Sequence, residues 1–213
     1  MNPAEVIVAV PVRKARPSFG LRNRVGRQIW NITWLLLFHP TPRPFHAWRR
    51  LLLRVFGAHI GPAVHIYAGA RIWAPWNLVA HRAAAIADGA EVYNPSRIEL
   101  GEYSVISQGA YLCAATHDYE SWEFPLLSAP IVVGAHAWVA ARAIVQMGVT
   151  IGEGCVIGAG SVVTHSMPEW TVCAGVPCRP IKPYSRSTRR WRGLHRLRDS
   201  QSAGVDGSST VKS

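Results

Sequence analysis

The chain has 213 residues, 49% of them apolar and 16% charged, with 18 glycines. That fits one well-filled domain with extensions and excludes a disordered polyelectrolyte. The formal charge of +11 suggests nucleic acid until it is mapped: Val55 to Ile181 holds five arginines and no lysine against nine carboxylates, so the middle is near −4 and the positive charge sits at the two ends. No nucleic-acid motif accompanies those ends. Basic residues interleaved with Trp suit anionic lipid headgroups at least as well as phosphodiesters, with plain solubilising charge as the alternative.

Residues 1–20 read as a flexible N-terminus without the basic, apolar, small-residue order of a signal peptide, which points to the cytoplasm. Residues 21–57 read as a helical cap. The apolar run "IWNITWLLLF" (Ile29 to Phe38) has ten residues, half of the ~20 a spanning helix needs. "HAWRRLLLRVF" (His46 to Phe56) places Trp48, Leu51, Leu52 and Val55 on one helical face. Such a helix closes the open base that every solenoid has; resting on the inner face of the cytoplasmic membrane is a compatible second role.

Residues 58–181 carry a six-residue beat that neither helix nor strand periodicity explains. The rows VGAHAW, VAARAI, VQMGVT, IGEGCV, IGAGSV and VTHSMP run from Val133 to Pro168 without a slip. LGEYSV, ISQGAY and LCAATH occupy Leu100 to His117, and IGPAVH, IYAGAR and IWAPWN begin at Ile60. An aliphatic residue opens each row, and small residues recur at its second and fifth positions. Three such rows return the chain to its starting edge one layer higher, stacking the aliphatic side chains in columns inside a prism. The reading is a mainly β protein, a parallel β-helix. The glycines fail the dinucleotide fingerprint, because Val163 stands where its third glycine belongs. The four cysteines form no CxxC pair; Cys113 and Cys155 sit inside the repeats as small fillers, and reduced thiols are expected.

After His117 about fifteen residues (loop 118–132) intervene before the rows resume. Loops of that length in compact domains are functional or disordered. This one carries Trp122, Phe124 and Leu126, which should pack against something, a neighbouring subunit included. Residues 182–213 read as a short basic extension, largely disordered.

The rows resemble the hexapeptide-repeat acyltransferases. "IGAGSVVTHSMPEWTVCAGVPCRPIK" (Ile157 to Lys182) resembles the maltose and galactoside O-acetyltransferase branch. "WLLLFHPTPRPFHAWRRLLLRVFGAHIG" and "ARIWAPWNL" resemble the O-acetyltransferases assigned to colanic acid biosynthesis in bacterial exopolysaccharide clusters. The resemblance implies a left-handed coil, a homotrimer with sites between subunits, acetyl-CoA as donor, and a sugar or lipid-linked oligosaccharide as acceptor. It implies His117 as general base in a ternary complex, consistent with the need to remove the hydroxyl proton during attack on a thioester. By the same resemblance Asn94 matches an acceptor-binding Asn; Asp118, expected to orient His117 or bind the sugar, and Trp122 complete the expected acceptor residues. For coenzyme A it implies Ala141, Ala159, Thr164, His165, Arg179 and Lys182, with backbone N–H groups around Ala140 and Ala141 as oxyanion donors. Relatives often have Ser at 141 and Lys at 165. "VAHRAAA" (Val79 to Ala85) lacks the Gly-Asp corner of the sequences that these rows resemble, so an irregular corner is expected there. An amino-sugar or xenobiotic N-acetyltransferase is the alternative enzyme. A γ-carbonic-anhydrase-like metal protein and a non-catalytic scaffold are the alternatives of other classes; no metal is expected, since His59 and His65 belong to adjacent faces and His117 and His136 have no third partner at a ligand spacing.

Overall fold

The structure, a computed structural model, describes residues 13–14 and 19–185. The N-terminus expected over 1–20 and the tail expected over 182–213 therefore lie almost wholly outside the described residues. A two-residue strand, β1 (Arg13–Lys14), precedes α1 (Leu21–Thr33), a π-helical turn (Trp34–Phe38) and α2 (His46–Val55).

Short strands then run round a three-sided prism. The first coil is β2 (His59–Ile60), β3 (His65–Ile66) and β4 (Arg71–Ile72), and the second is β5 (Leu78–Ala80), β6 (Ala85–Ile86) and β7 (Glu91–Tyr93). β8 (Ile98–Leu100), β9 (Val105–Ile106) and β10 (Tyr111–Cys113) make the third. After a hairpin, β11 (Ala115–His117) and β12 (Leu126–Ser128), come β13 (Ile131–Val133), β14 (Trp138–Val139) and β15 (Ile144–Gln146). β16 (Thr150–Ile151), β17 (Val156–Ile157) and β18 (Val162–Val163) form the fifth coil, and a bridge at Met167 with β19 (Thr171–Ala174) begins a sixth. β20 (Arg179–Pro183) turns back antiparallel on β19. Corresponding strands stack in parallel, giving a first face β2-β5-β8-β13-β16, a second face β3-β6-β9-β14-β17-β19 with β20 at its end, and a third face β4-β7-β10-β15-β18.

The columns follow the six-residue beat. Val133, Val139, Val145, Ile151, Ile157 and Val163, the openers of the unbroken rows, are all fully buried. Each such side chain contributes roughly 1.5–3 kcal/mol of burial. The earlier rows keep the same columns at a different spacing. Ile60, Ala80 and Leu100 are register partners on the first face, so the first two coils take two extra residues at the corner between the third and first faces. Those residues form a short 3₁₀ turn, Pro75–Asn77, and the Asn94–Arg97 corner. The irregular corner at 79–85 stays in register: His81 N–H donates to Leu100 O at 2.8 Å and Ala85 N–H to Ser104 O at 2.8 Å. Ala83 takes a left-handed backbone (φ 55°) as Ala63 does one coil earlier (φ 55°) and Tyr103 one coil later (φ 56°), so the missing glycine does not break the coil.

Glycine matters most where coils touch backbone to backbone. A Cβ on Gly134 would lie 2.7 Å from Glu153 N and 2.8 Å from Gly152 C of the next coil. Backbone inside a stacked coil cannot yield as a side-chain tip can. Gly134→Ala should therefore cost about 2 kcal/mol in chemical denaturation; an unchanged midpoint would show that the coils separate freely.

The cap solves a hydrogen-bonding problem. N–H groups of the strands donate to carbonyls of the next coil, as in His65 N–H to Ala84 O (2.9 Å) and Tyr67 N–H to Ile86 O (3.0 Å), while corner N–H groups such as those of Ala83 and Gly89 donate back to Pro62 O (3.0 Å) and Gly69 O (3.1 Å). The first coil's remaining carbonyls that face the base have no coil below to receive from. Side chains of the cap meet them in sequence. Arg54 donates to Ile60 O (2.7 and 3.0 Å), Arg50 to Val64 O (2.9 Å) and Arg49 to Ile66 O (2.6 Å). His39 bonds Ala68 O (3.2 Å), Trp34 donates to Ala70 O (2.9 Å), and Trp30 to Ile72 O (2.6 Å). Arginine and tryptophan are donors only, and no Asp or Glu occurs between Val6 and Ala87. Part of the basic N-terminal charge is thus the donor set of a cap, neither lipid-facing nor merely solubilising.

Cys155, Cys173 and Cys178 are buried, with Cys155 and Cys173 sulfurs 3.8 Å apart on consecutive coils. Burial pushes their thiols up, away from the thiolate. No helix among the described residues is long and apolar enough to cross a membrane.

Candidate active site

The chain leaves the prism earlier than the row "LCAATH" implies. Ala114 is still in the core, its N–H bonded to Tyr93 O (2.9 Å), and Ala129 N–H closes the exit by donating to Ala114 O (3.2 Å). Between them β11 and β12 pair antiparallel, His117 opposite Leu126, and β1 adds to the outer edge of β12. The excursion is a three-stranded sheet with a tip at 118–125, and His117 stands at the end of its inner strand. Antiparallel pairing satisfies backbone groups that a bare loop would leave to water.

His117 is exposed on one side and held on the other. Its Nδ1 lies 2.9 Å from Phe124 O. A carbonyl only accepts, so Nδ1 carries a proton, and in the neutral ring Nε2 is left as the acceptor. The Phe124 ring stacks on the imidazole at 4.5 Å and 5°, with Phe124 itself at φ 43°. One residue therefore fixes the tautomer with its backbone and the ring plane with its side chain. The sequence expected Phe124 to pack; its target is the histidine.

The other acceptor residues fall differently. Asp118 turns its carboxylate back to Glu120 N–H (3.2 Å); it shapes the hairpin tip and does not orient His117. Trp122 is fully exposed, 103%, and packs on none of the described residues. Asn94 departs from the expectation. It is 0% exposed, its Oδ1 accepts from Ala74 N–H (2.9 Å) and its Nδ2 donates to Ala74 O (2.8 Å). Both ends of the amide are committed to tying two corners together, so Asn94 presents nothing to an acceptor.

The residues expected around coenzyme A divide between two edges. Ala140 and Ala141 lie at the corner between second and third faces, with Ala159 one coil on, where Gly160 N–H donates to Ala141 O (3.0 Å). Arg179 joins that edge through its pairing with Ala174, while Lys182 is farther along β20 opposite Val172. Both β20 side chains are exposed. Thr164 and His165, bonded to each other at 2.8 Å, follow β18 at the opposite corner, the one from which the His117 hairpin springs. Of the two expected oxyanion donors, Ala140 N–H is spent on Ile157 O (3.0 Å), because it closes the β14 ladder. Ala141 N–H has no partner among the described residues. Within one chain, then, the base and the Ala141–Ala159–Arg179 edge flank a face and do not converge. Among the described residues no three His, Cys, Asp or Glu side chains come together to hold a metal ion.

Residues 130–165 match the family described as bacterial transferase hexapeptide (six repeats). Over 160 residues the chain is 39% identical to WcaF of Escherichia coli, whose name assigns it provisionally to colanic acid biosynthesis as an acetyltransferase; the match covers 75% of this chain and 88% of WcaF. The chain belongs to the hexapeptide-repeat acetyltransferases. This acetyltransferase also shares its fold with two solved structures. One is a hexapeptide-repeat acetyltransferase of Vibrio cholerae complexed with acetyl coenzyme A (19% identity, TM-score 0.71, 78% of this chain and 91% of that one). The other is a galactoside acetyltransferase in complex with coenzyme A (22% identity, TM-score 0.71, 92% of each chain).

Proposed function

We propose that the protein transfers an acetyl group from acetyl-CoA to a sugar hydroxyl in exopolysaccharide assembly, with His117 as general base. The observation that carries this reading is the held imidazole: Nδ1 committed to Phe124 O, and Nε2 turned to an exposed strand end as the acceptor of the neutral ring. Nε2 takes the hydroxyl proton as the oxygen attacks the thioester carbonyl. Ala141 N–H supplies a donor for the oxyanion. As the carbon–sulfur bond breaks, the imidazolium returns the proton to the departing sulfur, giving an acetate ester and a free thiol.

Base and donor edge are separated by a face within one chain, which supports a site shared between copies of a homotrimer. The fully exposed Trp122 at the hairpin tip fits such a contact. The guanidinium of Arg179 and the ammonium of Lys182 are placed to meet the phosphates of the nucleotide end. The exposed Ile29, Ile32 and Leu36 with Arg22 and Arg24 on the same helical segment support peripheral contact with an anionic membrane, where a lipid-linked acceptor would be met.

Calorimetric titration of the full-length protein with acetyl-CoA tests the donor without knowledge of the acceptor. One saturable site per chain is expected, weakened about tenfold when Arg179 and Lys182 are both replaced by alanine. Absence of binding to a folded protein removes the reading.

A further inference from the structure

A cavity of about 420 Å³ lies on the outer surface of the third face, under α1 and the π-helical turn. Its size is within the roughly 300–1,000 Å³ typical of small-ligand sites. Aromatic rings make up about half of its lining. Trp30, 1% exposed, closes the back of the cavity with its indole N–H on Ile72 O; the half-buried Trp34, its N–H on Ala70 O and its ring stacked on His39 (4.7 Å, 22°), offers the remainder of its ring surface. Trp73 is held in place by Tyr93 (5.3 Å, 77°) and Phe19 (5.0 Å, 60°), with the Arg27 guanidinium 4.3 Å over its ring.

Its floor is a polar row. Arg71, Glu91 and Tyr111 are register partners on β4, β7 and β10, spaced by the ~4.8 Å between adjacent strands. Arg71 and Glu91 are nevertheless not an ion pair: the Arg71 guanidinium lies 4.9 Å over Trp34, and the ion pairs among the described residues are His81–Glu99 and Arg97–Glu99. The exposed Glu91 carboxylate and Asn31 amide make no hydrogen bond among the described residues. The cavity thus combines fixed aromatic faces with an unspent carboxylate, guanidinium and amide.

We infer that this cavity binds pyranose rings of the acceptor glycan, remote from the hydroxyl that reacts; the inference rests on the sugar-acetylating function proposed above. A pyranose has a C–H face that stacks on indole and phenol rings and a rim of hydroxyls that both donate and accept, which matches this lining. A nucleoside diphosphate would bring its charge onto Glu91, and an acyl chain would bury Glu91 and Arg71 without partners. The cavity's far wall, Tyr111, is on the strand that leads through Cys113 to His117. At most roughly 20 Å of extended chain separates the two, so the ligand class is an oligosaccharide and not a single sugar.

Gluco-, galacto- and manno-oligosaccharides of one to four units would be titrated against the full-length protein without acetyl-CoA, read by tryptophan fluorescence and saturation-transfer NMR. A tetrasaccharide of at least one series should bind and the monosaccharide at least tenfold more weakly. The Asn31→Ala/Glu91→Gln double variant should raise the dissociation constant about tenfold or more, and His117→Ala should leave it within about twofold. Both replaced cavity residues are exposed, so a wild-type melting curve accompanies the loss. The inference is overturned if no oligosaccharide binds, if the double variant binds as wild type does, or if His117→Ala abolishes binding. Cavity-dependent binding without any acetyl transfer would leave the cavity standing and remove the proposed reaction. Transfer to an oligosaccharide with wild-type kcat/KM in the double variant would do the reverse.

Discussion

Replacing His117 by alanine will lower kcat for acetyl transfer by about 10²–10⁴-fold, the usual contribution of a positioned general base. The acetyl-CoA dissociation constant should stay within about twofold, because His117 is not itself among the expected donor contacts, and Ala141, Ala159 and Arg179 lie on another edge of the prism. The size of the loss follows from how the imidazole is held. With Nδ1 donating to Phe124 O at 2.9 Å and the ring stacked at 4.5 Å on Phe124, the productive tautomer and orientation exist before substrate arrives. The hairpin that carries His117 is closed at its root by Ala129 N–H to Ala114 O, so removing an exposed side chain at its end leaves the scaffold intact. Steady-state kinetics with a saturating acceptor, alongside donor calorimetry, separates the two quantities. A variant that keeps more than a tenth of wild-type kcat would remove His117 from the chemistry; one that loses donor binding as well would place the histidine in the donor site instead.

The sequence carried the prism because its information is local and periodic. An aliphatic residue every six positions from Val133 to Val163 can only form columns if the chain turns after each row, and those residues are the buried columns. Where the period slips, the sequence was silent. Two extra residues at the corner between third and first faces are interpretable only once Ile60, Ala80 and Leu100 are known to be partners. The corner at Ala83 looked irregular because a left-handed residue is expected to be glycine, whereas this corner uses alanine or tyrosine in successive coils.

The site was legible to the same extent. A histidine before a break in the repeat is visible; the carbonyl that fixes its tautomer belongs to a backbone and has no letter of its own. Asn94 is indistinguishable in sequence from an amide that binds a sugar, and only its two bonds to Ala74 show where its polarity goes. Ala140 and Ala141 likewise differ only in which N–H the ladder consumes. The charge of the N-terminal part was the least legible feature. Composition counts cations, but it cannot tell an arginine in water from one that serves as five hydrogen-bond donors under a solenoid.

Arg49 is the sharpest case of that difference, and replacing it with methionine should cost about 2 kcal/mol of stability. The side chain is 0% exposed and makes no ion pair among the described residues; burial lowers the pKa of its guanidinium, against the opposing pull of Asp88. It persists because its donors are used: Nε on Ile66 O (2.6 Å), Nη1 on Thr41 Oγ1 (2.7 Å) and Pro42 O (3.0 Å), Nη2 on Arg43 O (2.6 Å). Nη2 also lies 3.2 Å from His46 Nδ1, a group that shares Ile66 O with it. Arg49 therefore joins the first coil to the turn between the two cap segments. Methionine fills similar space and removes a buried charge, which alone would stabilise. It also takes a donor from Ile66 O, which lies in the core and keeps only His46, and from the half-buried Thr41 and the exposed Pro42 and Arg43, which water can in part replace; a bond lost at a buried acceptor costs about 1–3 kcal/mol. The second term wins, as it does when one partner of a buried charged network is removed. Arg49→Lys keeps the charge but lacks the planar fork, so it should recover less than half of the loss. Chemical denaturation gives the magnitude, and hydrogen exchange locates it: amides of the first coil should lose protection before those of the fourth and fifth. If the cap's arginines were only solvated charge, Arg49→Met would leave both measurements unchanged, and the donor account of the cap would fall with it.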